Sequence, residues 1–247
     1  MIYGYNYFMK PRRVVNDVVV TQRGLILDLD ATNPLSYSGS GNNWYDVSGQ
    51  NNHATLYNTV EYLTANKGSL RFNGSDNYAE LNSAAQFKLE FANPFTYQIA
   101  IKLRSPISQR KDISTIDASY GQTFRIGYGD GTSTYQSGYK GVMIGSYNSY
   151  TPQKMTNELL APDAYSHIAI VYKGGDSTLI SNYEIRVNNV IQSTVNSAGY
   201  GAQEYVNYIV NIIKADVGRI LINEVELTDT ELTNDYNLLD SIYNFGI

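Results

Sequence analysis

"FTYQIAIKL", residues 95 to 103, alternates without a slip. Phe95, Tyr97, Ile99, Ile101 and Leu103 fall on one side of an extended chain and Thr96, Gln98, Ala100 and Lys102 on the other, which predicts a half-buried β-strand. The same period of two continues in both directions from it. Strands are expected at "GLILDL" (24–29), "SLRF" (69–72), "YAEL" (78–81), "TFRIGY" (123–128), "GVMIGSY" (141–147), "SHIAIVY" (166–172), "NYIVNII" (207–213) and "VGRILIN" (217–223). In "YEIRVNNVIQST", 183 to 194, alternating runs flank Asn188-Asn189, a pair that tolerates the left-handed backbone of a type I′ turn, so the stretch predicts a hairpin. Short strands parted by Gly, Asn and Ser clusters describe an all-β protein, a sandwich or a barrel.

One helix is expected, in "LTDTELTNDYNLLDSIY" (227–243). Thr228 and Glu231 have the spacing of a capping box, Leu227 and Leu232 that of a hydrophobic staple, and Asp229 adds negative charge to the first turn. Leu232, Tyr236 and Leu239 then share one face, which can lie on a sheet and close the sandwich.

The chain has 247 residues, 43% hydrophobic and 17% charged, with 23 Tyr against 7 Phe. That suits pleated surfaces with one wet face and one core of sandwich size. No Pro-rich linker or repeat divides it, so we expect a single domain over 14–247 preceded by an extended arm, 1–13. There is no cysteine, which removes disulfides, thiolate metal sites and a Cys nucleophile. The start, "MIYGYNYFMKPRR", lacks the order of a signal peptide, and no segment reaches the length of a membrane span, so retention in the cytoplasm where it is made is expected. Net charge is −5. No basic face is available for nucleic acid. The charge is uneven: Lys10, Arg12 and Arg13 stand without an acid, whereas Glu224, Glu226, Asp229, Glu231, Asp235 and Asp240 stand without a base.

The order of "GLILDLDATNPLSY", "NNWYDVSGQNNHATLYN", "GSLRFNGSDNYAEL", "FTYQIAIKLRS", "YSHIAIVYKGGDS", "YEIRVNNVIQ" and "VGRILINEVELTDTELTNDYNLL" resembles the concanavalin A-like jelly roll of the laminin-G type, over about residues 24–240. The resemblance implies two packed antiparallel sheets, in agreement with the periodicity. The family's functions range over glycan binding, adhesion, hydrolysis and virion structure, so fold alone does not choose among them. The Asp-Gly/Asn corner after the tryptophan looks most like jelly-roll proteins of tailed bacteriophages, which implies a particle component.

Several constellations compete for a functional role. "GNNWYDVSGQNNHATL" (41–56) holds the sole Trp, Trp44, with His53 and many amides, a composition that serves a ligand loop or a turn; the resemblance implies a corner with the Trp packed. Asp28, Asp30 and Asp46 near Asn51 and Asn52 offer oxygens for a Ca2+ ion, without EF-hand spacing. Zinc lacks donors, with no Cys and two His. The resembled hydrolases carry an E-x-D-x-x-E strand that this sequence does not contain, and Glu224 and Glu226 read as a solvated turn. No Gly-x-Ser-x-Gly elbow is present, and His167 reads as a hydrogen-bonded core residue. In "IGYGDGTSTYQSGYKGVMIGSYNSYTP", Tyr128, Tyr135, Tyr139, Tyr147 and Tyr150 stand among Gly and Ser, a set that offers rings to a glycan or to a protein neighbour, or else forms an ordinary loop.

The expectation is therefore a non-catalytic virion protein of a tailed phage, a head decoration, fibre or tail-associated subunit that self-associates. It would dock on other virion proteins through Tyr3, Tyr5, Tyr7, Phe8, Arg12 and Arg13 of the arm. The alternative is a lectin-like adhesin that reads cell-surface glycans. No cofactor is expected beyond the calcium option.

Overall fold

The computed structural model describes residues 19–82, 89, 92–105, 111–118, 122–130, 140–146, 153–156, 160–175, 180–197, 208–211 and 213–246. In chain order the strands are β1 (Leu25–Asp30), β2 (Asn43–Trp44), β3 (Ala54–Tyr57), β4 (Glu61–Leu63), β5 (Ser69–Asn73), β6 (Tyr78–Leu81), β7 (Phe95–Leu103), β8 (Lys111–Ala118), β9 (Gln122–Asp130), β10 (Lys140–Ser146), β11 (Gln153–Thr156), β12 (Tyr165–Tyr172), β13 (Tyr183–Val187), β14 (Val190–Ile191), β15 (Thr194–Ser197), β16 (Tyr208–Val210) and β17 (Lys214–Asn223); helix α1 (Asp229–Tyr243) follows. Sheet A runs β14-β13-β12-β7-β17-β5-β4, with β1 also paired to β17, and sheet B runs β15-β11-β10-β9-β8-β16-β6-β3-β2. Every pairing is antiparallel, so this is an all-β, two-sheet jelly-roll sandwich with one C-terminal helix.

The core lies between the sheets. Leu70, Phe72, Tyr97, Ile99, Ile168, Ile170, Ile220 and Ile222 of sheet A meet Trp44, Leu56, Leu81, Ile116, Ile126 and Ile144 of sheet B. At about 1.5–3 kcal/mol for each large side chain buried, this cluster is the dominant stabilising element. The Asn188-Asn189 hairpin forms as its sequence predicts, with φ of 48° and 62°.

Helix α1 covers the outer face of sheet A. The capping box is made, Thr228 Oγ1 accepting from Glu231 N and a Glu231 carboxylate oxygen accepting from Thr228 N at 2.8 Å. Leu232 and Leu227 pack on Ala169 and Val171, and Tyr236, Leu239, Ile242 and Tyr243 pack on Ala100 and Tyr165. The strand 95–103 is consequently buried on both faces and not half-buried, because its small and polar side is the floor under the helix. Tyr243 reaches Gly218, where a Cβ would lie 2.2 Å from its ring; only glycine admits the ring there.

Five short strands, β2, β3, β4, β11 and β15, and the eight-residue β8 are absent from the sequence expectation. In β8 a bulge between Asp112 and Ser114 breaks the period of two on which such expectations depend. Conversely, within the expected strand at 207–213 the pairing among the described residues covers Tyr208–Val210, which carries a register shift of its own.

Candidate functional site

The tryptophan loop is a corner. Trp44 is fully buried. Asp46 directs the turn beyond it: one carboxylate oxygen accepts from Asp28 N at 2.8 Å and Ser48 N at 2.9 Å, the other from Ser48 Oγ at 2.8 Å and Asn52 N at 2.9 Å. Asn52 donates onward to Ile26 O, and His53 Nδ1 accepts from Asp46 N, which places the ring hydrogen on Nε2. A carboxylate with four protein donors has no lone pair left to aim at a ligand.

The other acids of the calcium option are engaged as well. Asp28 takes Arg219 in bidentate fashion at 2.8 and 2.6 Å, while Asp30 meets Arg219 at 3.1 Å and accepts from Thr32. Burial works against the Arg219 charge, but the two carboxylates outweigh it and hold the guanidinium protonated. Among the described residues no group of three or more acids and histidines is placed to hold a metal ion. Glu224 and Glu226 are exposed in the turn before α1.

Beneath α1 runs a buried polar chain. Asp235 accepts from Thr21 N and Oγ1 and from Gln98 Nε2 at 2.8 Å, which turns the Gln98 carbonyl towards His167 Nε2 at 3.1 Å. The imidazole therefore carries its hydrogen on Nε2, and its Nδ1 is left without a partner between the Tyr236 and Phe245 rings. Burial lowers its pKa to about 3, so it is a neutral core residue, as its place in "SHIAIVY" suggests.

Of the five tyrosines singled out in the sequence, Tyr128 is 2% exposed and belongs to the inter-sheet core, in phase with Ile126. It is not a surface ring. Tyr135, Tyr139, Tyr147 and Tyr150 lie outside the described residues, as do Tyr3, Tyr5, Tyr7, Phe8, Arg12 and Arg13 of the arm.

A different set of tyrosines is displayed on sheet B. In "ATLY" and "YAEL" the core takes Ala54, Leu56, Ala79 and Leu81, which leaves Thr55, Tyr57, Tyr78 and Glu80 on the opposite face. Register places Tyr57 directly across from Tyr78. A second cross-strand row reads Asn43, Thr55, Glu80, Tyr208, Thr115 and Arg125, over β2, β3, β6, β16, β8 and β9. Tyr57 stacks on Tyr78 with centroids 4.6 Å apart and planes 15° from parallel, and Tyr208 meets Tyr78 edge-on at 4.9 Å. Tyr57 is 38% exposed. Thr55 Oγ1 donates to Asn82 Oδ1. Partial burial raises the Tyr78 phenol, and the negative charge of Glu80 raises it further. The sequence signal for this face is an aromatic in phase with polar rather than apolar neighbours, and attention to Gly/Ser-rich loops passes over it.

A cleft of about 620 Å³ also opens beside the C-terminal end of α1, lined by Leu160, Tyr165, Val187, Asn188, Val190 and Phe245 among others.

Neither a protein-family model nor a curated protein matches this sequence. Solved structures match its fold. A mutant of Trypanosoma rangeli sialidase displaying trans-sialidase activity superimposes with a TM-score of 0.58 at 13% identity, over 90% of this chain and 34% of the sialidase. Domain 4 of AbnA, a GH43 extracellular arabinanase from Geobacillus stearothermophilus in complex with arabinotriose, gives 0.57 at 14% identity, over 86% of this chain and 98% of the domain. The receptor binding domain of botulinum neurotoxin C/D mosaic serotype gives 0.55 at 13%, over 88% and 52%. This chain thus spans about a third of the sialidase's length. At such identities the likeness is one of fold, a β-sandwich. No helix among the described residues is long and apolar enough to cross a membrane.

Proposed function

We propose that this chain is a non-catalytic, lectin-like glycan-binding module, and that the tyrosine face of sheet B is its binding surface. The reading rests on the Tyr57, Tyr78 and Tyr208 rings standing on the polar face of paired strands, next to the oxygens of Thr55 and Glu80. Rigid rings offer the C–H face of a sugar a large contact at small entropic cost, and adjacent acceptors hold its hydroxyls. One of the fold's neighbours lends support: the AbnA domain was solved with arabinotriose. The particle component implied by the bacteriophage resemblance would dock through residues 1–13, outside the described residues, and none of the neighbours above is a virion protein. The tyrosine face therefore favours the glycan reading over the virion one.

The test is a glycan array followed by calorimetry. Discrete glycan signals are expected, with at least a tenfold loss of affinity in Tyr57→Ala and in Tyr78→Ala while melting stays cooperative. An array without signal from folded protein would refute the proposal.

A further inference from the structure

Glu80 sets this face apart from the rest of the molecule. Among the described acids that are buried or half-buried, the others all have a donor or a cation: Asp28 and Asp30 have Arg219, Asp46 its turn amides, Asp235 has Gln98 and Thr21, Glu184 has Arg186, Glu231 has Arg23, and Asp240 has Phe245 N. On sheet A the equivalent cross-strand row is compensated. Tyr165, Lys102, Asp216, Arg71 and Glu61 face one another over β12, β7, β17, β5 and β4, with Asp216 held by Arg71 and Lys102 at 2.8 Å each. The half-buried Glu80 carboxylate has no such partner among the described residues. The positions directly across from Glu80 on the neighbouring strands are Thr55 and Tyr208, neither of them a cation.

Register sets Thr55 and Tyr208 on either side of Glu80, each roughly 5 Å away, and Tyr78 two residues along the same strand, roughly 7 Å away. The carboxylate is therefore within one sugar ring of the aromatic platform. Resting on the glycan reading above, we infer that Glu80 selects neutral glycans: it accepts hydroxyl hydrogens of a sugar stacked on the tyrosines and turns away glycans whose stacked residue carries a carboxylate or sulfate. A hydroxyl completes the carboxylate with a charge-assisted hydrogen bond. A second anion about 5 Å away is worth roughly one order of magnitude in affinity against binding at a partly solvated site.

The experiment uses the full chain, an array with matched neutral and acidic members, and calorimetry with the strongest neutral ligand and its sialylated or sulfated counterpart. The neutral member is expected to bind about tenfold tighter or more. Glu80→Gln, with Glu80→Thr as a second variant suited to a strand, is expected to shrink that gap to within about threefold, while Tyr57→Ala weakens both ligands together. Equal binding of both classes by the unmodified protein, tighter binding of the acidic one, or an undiminished gap in folded Glu80 variants would overturn the role of Glu80 and leave glycan binding standing. If folded protein binds no glycan of either class, both proposals fall.

Discussion

Replacing His167 with Gln is expected to alter how stability responds to pH more distinctively than it alters stability itself. In the folded protein burial holds the imidazole at about 3, against an ordinary 6.5, and its surroundings are Gln98 Oε1 and two aromatic rings. Between those two values the unfolded chain binds a proton that the folded chain refuses. This contribution to stability is therefore complete above the unfolded pKa and is lost as pH falls from about 6.5 towards 3. From pH 7 to pH 5 this one group withdraws about 2 kcal/mol, taking 1.36 kcal/mol per pH unit over the part of the window crossed. Gln at 167 keeps an amide hydrogen for Gln98 and does not titrate. Trp44, the sole tryptophan and fully buried, reports unfolding by its fluorescence, so urea curves at pH 7, 6 and 5 give both stabilities directly. The original protein should be the more stable at pH 7, with its advantage over the variant shrinking by about 2 kcal/mol at pH 5. An advantage that stays constant across the three pH values would refute the neutral, buried imidazole. Asp235, one step further along the chain of hydrogen bonds, is present in both proteins and cancels in the comparison.

Gly218→Ala should cost about 1–3 kcal/mol by driving a methyl group into the buried Tyr243 ring, and adding Tyr243→Leu should cost less than the sum of the single changes, as urea unfolding would show. Asp28→Asn leaves the buried Arg219 short of its bidentate partner and should cost about 3–5 kcal/mol, whereas Asp28→Leu with Asp30→Asn and Arg219→Met, which removes all three buried charges together, should recover much of that in melting experiments. Thr228→Ala removes the capping-box hydroxyl and should cost about 1 kcal/mol. Leu232→Ala empties a site on Ala169 and Val171 and should cost about 2–5 kcal/mol; unchanged melting of either α1 variant would mean that the helix does not hold to the sheet.

Much of the architecture is local and was therefore readable before any fold was known. The alternation of "FTYQIAIKL", the Asn188-Asn189 turn and the Thr228/Glu231 box each depend on residues within a few positions of one another, where backbone geometry alone sets the relation. Alternation also assigns residues to two faces, but it does not say which face meets the core or what covers the other. That is why strand 95–103 was expected to keep one side wet, although α1, more than a hundred residues later, closes over it.

The candidate site shows the same division. The sequence by itself determined that Tyr57 is in phase with Thr55, that Tyr78 is in phase with Glu80, and that Tyr128 is in phase with Ile126. Only the packing of the two sheets decided that the first pair of phases faces outward and the last inward, because strand pairing over long separations sets the side on which the core forms. The charges follow the same rule. Asp28 finds Arg219 across 191 residues, while Glu80 is set between Thr55 and Tyr208 with no cation opposite among the described residues. An acidic residue reads alike in both stretches of sequence, and its pairing depends on strands that only the tertiary fold brings side by side.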